Sequence, residues 1–337
     1  MTSTAITLNS RNTAIDVGRF ICAFLVVALH TSFPVPYVNT YLASVGKIAV
    51  PFFLIVSGFY LYSADDSLVF TRAKRGVKKL VVIIAQAMVV YGLLRLIKQE
   101  YFHIDISSQA FKILPFILVN DSNFTEHLWY CFAYLYVLLI LMAVSKYRHV
   151  DFLLYALPVL FTIHFTFTLW SRFVPIAEGK NWYELNWLVI ALPFVIIGMP
   201  IRKHLPLIGK VNVKSLLATM SILLTFIFFE HYAFKQFAGK GPGIFAISFL
   251  AIATFIYCAQ NGTIFGASLD AKIGLWGRDH ALNIYIYHIL VRESLALAEV
   301  GLWANNTICV FIISLFLSMI TIKIKGLMFI STGNAIN

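Results

Sequence analysis

The chain has 337 residues, of which 60% are hydrophobic and only 12% are charged. Soluble globular proteins carry about 25% charged and about 45–50% apolar residues, so this composition excludes an ordinary soluble enzyme and a disordered protein. In a soluble protein, the formal net charge of +11 would suggest a nucleic-acid ligand. Here we assign the excess of Lys and Arg to the cytoplasmic loops of a membrane protein and expect no nucleic-acid partner.

Ten apolar windows predict an all-α integral membrane protein, a polytopic bundle of about ten transmembrane helices. Because a spanning helix needs roughly 20 apolar residues, ten of them leave short loops and no room for a sizeable soluble domain. We therefore expect residues 1–337 to form a single membrane domain. The first window is interpreted as a retained helix, since no small-residue cleavage site follows it. The predicted helices are 15–34, 44–62, 79–97, 128–145, 152–170, 186–201, 215–231, 243–260, 274–291 and 302–322.

The distribution of Lys and Arg predicts that both ends of the chain are cytoplasmic. With a cytoplasmic N-terminus, ten helices place 17 of the 26 Lys and Arg residues inside and nine outside, which is the excess expected of cytoplasmic loops. Two outer segments are longer than a turn. The apolar run 111–119 is too short to span and suits an interfacial or re-entrant piece. Residues 171–185 mix charged and aromatic side chains, which fits either an acceptor-lining loop or a solvated one.

Three ionisable residues lie in the first predicted helix: Asp16, Arg19 and His30. Polar groups at membrane depth are costly and are therefore candidates for a functional site. Arg19 and His30 are 11 residues apart, so they project from the same helix face with an axial rise of about 16.5 Å. Asp16, three residues before Arg19, can pair with it. The alternative is an Arg that reaches the interface and an interfacial His.

A basic cluster follows the second predicted helix, in the loop that leads into the third. Such residues commonly flank a spanning helix and contact anionic lipid. They can also form a site for a phosphorylated ligand, because Arg guanidinium groups match phosphate oxygens with paired hydrogen bonds. The cluster consists of Arg72, Lys74, Arg75, Lys78 and Lys79.

Other helices add weaker candidates. Ser57 and Gly58 are small residues that let helices approach closely. Trp129 at the start of the fourth helix fits an aromatic belt as well as a site. In the ninth helix, His288 is four residues before Arg292 and can share its face, although a buried, hydrogen-bonded His explains it equally well.

Several common catalytic signatures are missing from the sequence. There is no G-x-x-x-x-G-K-[ST], no H-E-x-x-H and no G-x-S-x-G motif, so metal hydrolysis and a nucleophile-elbow esterase are not supported. The four cysteines lie far apart in apolar runs without a C-x-x-C pair, which indicates neither a zinc site nor a disulfide framework. We expect no metal. The cysteines are Cys22, Cys131, Cys258 and Cys309.

The sequence resembles the acyltransferase-3 family of membrane O-acyltransferases, whose bacterial members modify surface polysaccharides. The resemblance runs from about residue 11 to about 325 and depends on the order and spacing of several motifs. It departs from the family in the ninth helix, where relatives tend to have Ser-Tyr and this chain has Ala-Leu-Asn at 281–283. The shared features are Arg19 and His30 with ten residues between them, the stretch PFFLIVSGF at 51–59, the pair Arg72 and Arg75, HLW at 127–129, and NIYIYH at 283–288.

The resemblance implies a role for each of these groups. His30 would be the catalytic histidine, acting either as the base or as the carrier of the acyl group. Arg19, Arg72 and Arg75 would bind acyl-CoA, most simply acetyl-CoA, as a donor substrate and not as a tightly bound cofactor. The acceptor would be a lipid-linked sugar or a surface polysaccharide, and the location the bacterial inner membrane. Supporting candidates are Asp16, Ser57, Trp129 and His288.

Two functions are compatible with these features. The first is an O-acyltransferase that uses cytoplasmic acyl-CoA. The second is a non-enzymatic flippase or exporter of a lipid-linked glycan, in which the basic loops would bind anionic lipid or pyrophosphate and Arg19 would line a path. Release of free CoA thiol in the presence of an acceptor separates the two.

Overall fold

The computed structural model describes residues 12–33, 35–102, 113–120, 126–173, 184–238, 245–300 and 305–333. Within these ranges the chain forms a bundle of α-helices without named β-strands, extended in places by a 3₁₀ or π turn. The helices are α1 (Thr13–His30), α2 (Pro36–Gly46), α3 (Ala49–Leu61), α4 (Asp66–Phe102), α5 (Ile113–Val119), α6 (Trp129–Tyr147), α7 (Leu157–Phe173), α8 (Leu192–Lys203), α9 (Leu205–Ile208), α10 (Val213–Ala238), α11 (Phe245–Gln260), α12 (Ala267–Leu297) and α13 (Thr307–Gly333).

All ten predicted windows coincide with helices, which confirms an all-α polytopic membrane protein. In the described part of the chain, seven helices are long and apolar enough to cross a membrane. The helices in the other three windows, 186–201, 243–260 and 274–291, are shorter or more polar than these seven. The seven are Thr13–His30, Tyr41–Leu61, Asp66–Glu100, Trp129–Tyr147, Val150–Trp170, Val213–Ala233 and Thr307–Ile324.

Several predicted boundaries were wrong. Helix α12 (Ala267–Leu297) extends beyond 274–291 at both ends, and α13 (Thr307–Gly333) extends beyond 322. The first helix ends at His30 and not at 34, because Thr31 adopts an extended backbone and Pro36 opens the next helix. The third helix is not confined to 79–97: α4 begins at Asp66 and includes the whole basic cluster, which is therefore helical and not a loop. Lys, Arg, Leu and Ala are strong helix formers, so the helix continues beyond the apolar run that hydropathy detects.

The residues 98–127 and 171–185 are described only in part. The apolar run 111–119 contributes α5, a seven-residue helix that leaves Ile113, Leu114, Ile117 and Leu118 exposed, as an interfacial piece would. Residues 103–112, 121–125 and 174–183 lie outside the described ranges, so the acceptor-lining interpretation of 171–185 stays a prediction.

Glycines permit two very close helix contacts in the described part of the chain. In the α3–α8 pair, a Cβ built on Gly58 would lie 1.8 Å from the carbonyl oxygen of Val195, and one on Gly198 would lie 2.3 Å from that of Ile55. In the α1–α12 pair, a Cβ on Gly277 would lie 1.9 Å from the carbonyl oxygen of Asp16. Such approaches are possible only for glycine, and they bring backbones together as small residues do in membrane bundles.

Helices α1 and α12 run parallel. Thr13 lies against Gly274 and Asp16 against Gly277, while His30, at the other end of α1, has its ring centroid 5.1 Å from that of His288. The first and ninth predicted helices therefore cross in the same direction, which agrees with ten alternating spans. We refer below to the His30 end and the Arg19 end of the bundle.

We predict that Gly58→Ala and Gly198→Ala each destabilise the protein by about 1–3 kcal/mol, the usual cost of an overpacked core. The new methyl group would overlap backbone atoms, which cannot move aside as a flexible side chain can. Gly262→Ala is the control, since nothing lies within 4 Å of its Cβ position. Thermal unfolding in detergent measures the effect. Equal melting temperatures for Gly58→Ala and Gly262→Ala would contradict the α3–α8 contact.

Candidate active site

The predicted pair on α1 is present. Arg19 Nη1 donates to Asp16 Oδ1 at 3.3 Å, and Asp16 is buried at 3% exposure. A buried carboxylate needs a compensating partner. This pair holds the guanidinium of Arg19 at a fixed height on the helix.

A cavity of about 240 Å³ opens beside Arg19, enclosed by α1, α3, α4, α6 and α12. Its polar groups are two cations near one end, the hydroxyl of Ser57, and three tyrosines. Ser57 also donates to the carbonyl of Phe53 at 2.9 Å. The lining residues are Arg19, Val50, Phe53, Val56, Ser57, Gly76, Lys79, Leu80, Ile83, Tyr130, Tyr134, Ala281, Leu282 and Tyr285.

The basic face of α4 meets this cavity at Lys79. Arg72 and Arg75 are seven and four residues before Lys79, and helical geometry puts all three on one face. Neither arginine lines the cavity. Arg72 Nη1 donates to the carbonyls of Tyr60 and Tyr62 at 3.2 and 2.7 Å, so this cation caps the C-terminus of α3.

Three histidines from separate parts of the chain come together at the His30 end. The ring centroids of His30 and His288 are 5.1 Å apart, and those of His127 and His288 are 6.1 Å apart. Tyr91 packs on the His127 ring with centroids 4.4 Å apart. His30 is exposed, whereas His288 is fully buried. We call His30, His127 and His288 the histidine cluster.

Tyr285 joins the cavity to the histidine cluster. It lines the cavity, its hydroxyl donates to the carbonyl of His127, and its ring centroid lies 5.9 Å from that of His288. Its carbonyl also accepts a hydrogen bond from His288 Nδ1 at 2.6 Å. The histidine cluster therefore begins where the cavity ends.

Charged groups brace the same end. Arg292 Nη1 donates to the carbonyl of His30 at 3.0 Å, which satisfies the C-terminus of α1. Arg292 Nη2 donates to Glu293 Oε1 at 2.6 Å, and Lys98 of α4 forms an ion pair with Glu293. These contacts tie α1, α4 and α12 together next to the His30 ring.

The structure brings together most of the sequence-predicted candidates. Arg19 and Ser57 line the cavity, and His30 lies beside His288. Trp129 is half-buried and, like Arg72 and Arg75, does not line the cavity. Among the described residues, no group of three His, Cys, Asp or Glu side chains could hold a metal ion.

Sequence reasoning missed several lining residues. Lys79 had been grouped with its basic neighbours, although its seven-residue spacing from Arg72 was a usable signal. Tyr130 follows Trp129 and fitted the same aromatic belt, Tyr285 was noted only within the NIYIYH motif, and Tyr134 carried no signal. His127 was predicted in the motif that opens the fourth helix and as an alternative catalytic candidate to His30, but its approach to His288 was not foreseen.

Comparison with known proteins identifies one family. The acyltransferase domain of the acyltransferase-3 family matches residues 12–323, nearly the whole chain. An amino-acid racemase of Enterococcus faecalis is 34% identical over 134 residues, a match that covers 37% of this chain and only 17% of the racemase. No solved structure gives a significant match.

Proposed function

Because the chain belongs to the acyltransferase-3 family and is therefore an acyltransferase, not a non-enzymatic exporter, we propose that it is an O-acetyltransferase. It would move an acetyl group from acetyl-CoA to a hydroxyl of a lipid-linked sugar or surface polysaccharide. The observation that supports this most is the cavity, which has cations near one end and ends at a histidine cluster.

The Arg19 end suits the donor's phosphates. Arg19 and Lys79 line the cavity there, and the exposed Arg75 lies one turn before Lys79. At about 240 Å³ the cavity is smaller than sites that enclose a whole drug-sized ligand, about 300–1,000 Å³. The bulky nucleotide would therefore stay at the mouth, and only the thin pantetheine arm would enter.

The His30 end suits the transfer step. Arg19 and His30 are separated by about 16.5 Å along α1, so a donor whose phosphates lie near Arg19 can extend its thioester toward the imidazole. A sugar hydroxyl is a poor nucleophile at neutral pH, and a neutral imidazole can accept its proton. The sugar oxygen would bond to the thioester carbon, the carbon–sulfur bond would break, and the proton would pass to the thiolate.

The proposed location is the bacterial inner membrane, with both termini in the cytoplasm. The Arg19 end would then face the compartment that contains acetyl-CoA, and the exposed His30 would face the outer side, where the glycan is modified. The distribution of Lys and Arg in the sequence supports this orientation.

We predict that Arg75→Ala with Lys79→Ala weakens acetyl-CoA binding. Charge-assisted contacts contribute roughly 1.5–3 kcal/mol each, and about 1.4 kcal/mol is tenfold in affinity, so loss of one such contact costs about 10–100-fold. Isothermal titration with purified protein measures the change. Lys74→Ala is the control, because Lys74 has the same charge on the same helix but lies about 140° away from Lys79. Equal affinities for the double variant and the control would remove the basic face from the donor site.

We predict that His30→Gln abolishes acyl transfer while the protein still inserts and binds acetyl-CoA. Loss of general acid–base help lowers the rate by about 10²–10⁴-fold. The acceptor is polysaccharide from a strain lacking this protein, treated with mild alkali, and the readout is free CoA thiol. His280→Gln is the control: His280 lies on α12, bonded to Ser318.

Two outcomes would contradict the proposal. If the wild-type protein released no thiol with this polysaccharide, the proposed transfer of an acetyl group to a glycan would be refuted. If His30→Gln kept the wild-type rate, the catalytic assignment of His30 would fail. Radiolabel retained on wild-type protein after donor and before acceptor is added would identify the acyl-histidine route.

A further inference from the structure

His288 has an unusual hydrogen-bonding state for a fully buried side chain. Its Nδ1 lies 2.6 Å from the carbonyl oxygen of Tyr285, and a carbonyl only accepts, so Nδ1 carries the proton. In a neutral imidazole the other nitrogen, Nε2, then has a lone pair and no proton. The structure therefore determines the tautomer of this histidine.

The Nε2 atom of His288 is buried and has no hydrogen-bond partner among the described residues. Buried polar atoms are nearly always paired, and each exception calls for an explanation. The side chain itself is 0% exposed. An acceptor atom held at this position is thus retained at a cost in stability.

The side chain that can use this acceptor is His30. The two ring centroids are 5.1 Å apart with the planes tilted by 43°, a spacing that allows an N–H···N hydrogen bond after a small rotation of the exposed His30 ring. Arg292 donates to the backbone carbonyl of His30 and not to its ring, so a rotation of the ring does not break this contact. His127 is the competing candidate, since its Nε2 is also buried and unpartnered among the described residues.

We propose that His288 is a positioning residue for His30, an inference that rests on the proposed acyl transfer. Its Nε2 accepts the ring N–H of His30 and so fixes which nitrogen of His30 is protonated. The lone pair on the other nitrogen then points away from the helix pair, toward the acceptor hydroxyl. A histidine that is free to adopt either tautomer would present the wrong nitrogen part of the time.

Two substitutions separate positioning from packing. His288→Leu fills the space and removes the acceptor, whereas His288→Gln places an amide oxygen close to where Nε2 lies. We expect His288→Leu to lower kcat by about 10²-fold or more, with KM for acetyl-CoA unchanged within twofold. His288→Gln should recover kcat to within about tenfold of wild type, since its oxygen accepts the same hydrogen bond.

The controls keep each outcome decisive. His127→Leu should lower kcat less than His288→Leu does, and His280→Gln should leave it unchanged. Size-exclusion profiles and melting temperatures show whether each variant folds, and His288→Met replaces His288→Leu if the latter does not. Any of three outcomes would overturn the proposal. The apolar His288 variant could keep a kcat within threefold of wild type, His288→Gln could have a kcat no higher than the apolar variant, or His127→Leu could lower kcat more than the apolar variant does.

The proposed function can fail separately. Wild-type protein and His30→Gln are assayed beside the His288 variants. Absence of acyl transfer in wild type refutes the proposed function itself, and full activity in His30→Gln refutes the catalytic assignment of His30. Normal wild-type activity that depends on His30 but not on His288 refutes only the positioning role.

Discussion

The close contact between α1 and α12 is the constraint on which the site depends. At Gly277 the two backbones approach so closely that a Cβ would lie 1.9 Å from the carbonyl of Asp16. In a membrane, helices gain little from the hydrophobic effect and associate through such packing. Because the helices are parallel, one contact at the Arg19 end sets their relative height, and His30 meets His288 at the other end.

This packing places cationic side chains at one end of the α1–α12 pair and imidazole side chains at the other. Near Arg19, two cations line the cavity: the partly buried guanidinium of Arg19, which is paired with Asp16, and the ammonium group of Lys79. Near His30, imidazoles lie beyond Tyr285, while Arg292 and Glu293 are paired with each other. An acyl-CoA molecule has phosphates at one end and the thioester at the other. Its phosphates can therefore meet the cations near Arg19 while its thioester reaches toward His30, about 16.5 Å away along the helix.

Local spacing accounts for what the sequence could predict. The Asp16–Arg19 pair follows from a three-residue separation on a helix, and the apolar windows follow from the thickness of a bilayer. The length of α4 was missed because hydropathy does not detect its charged first turns. Arg72 was predicted as a phosphate ligand, but its contacts with the end of α3 depend on a reversal of the chain that no local pattern describes.

The histidine cluster could not be predicted from the sequence, because it too depends on contacts between residues far apart in the chain. His30 and His288 lie on α1 and α12, and His127 lies in the 3₁₀ turn Glu126–Leu128 before α6. These elements are far apart in the chain, and only tertiary packing brings the three rings together. Gly277 likewise looks unremarkable in the sequence until its neighbour is known. Sequence motifs named these histidines as candidates, and tertiary structure supplied the spatial relation between them.

The most direct measurement is an electron cryomicroscopy structure of the protein with a non-transferable thioether analogue of acetyl-CoA. We expect the nucleotide phosphates beside Arg75 and Lys79, the pantetheine arm in the cavity past Ser57, and the acetyl group between Tyr285 and the His30 ring. An analogue bound with its acetyl end away from the histidine cluster, or bound outside the cavity between α1, α4 and α12, would contradict this expectation.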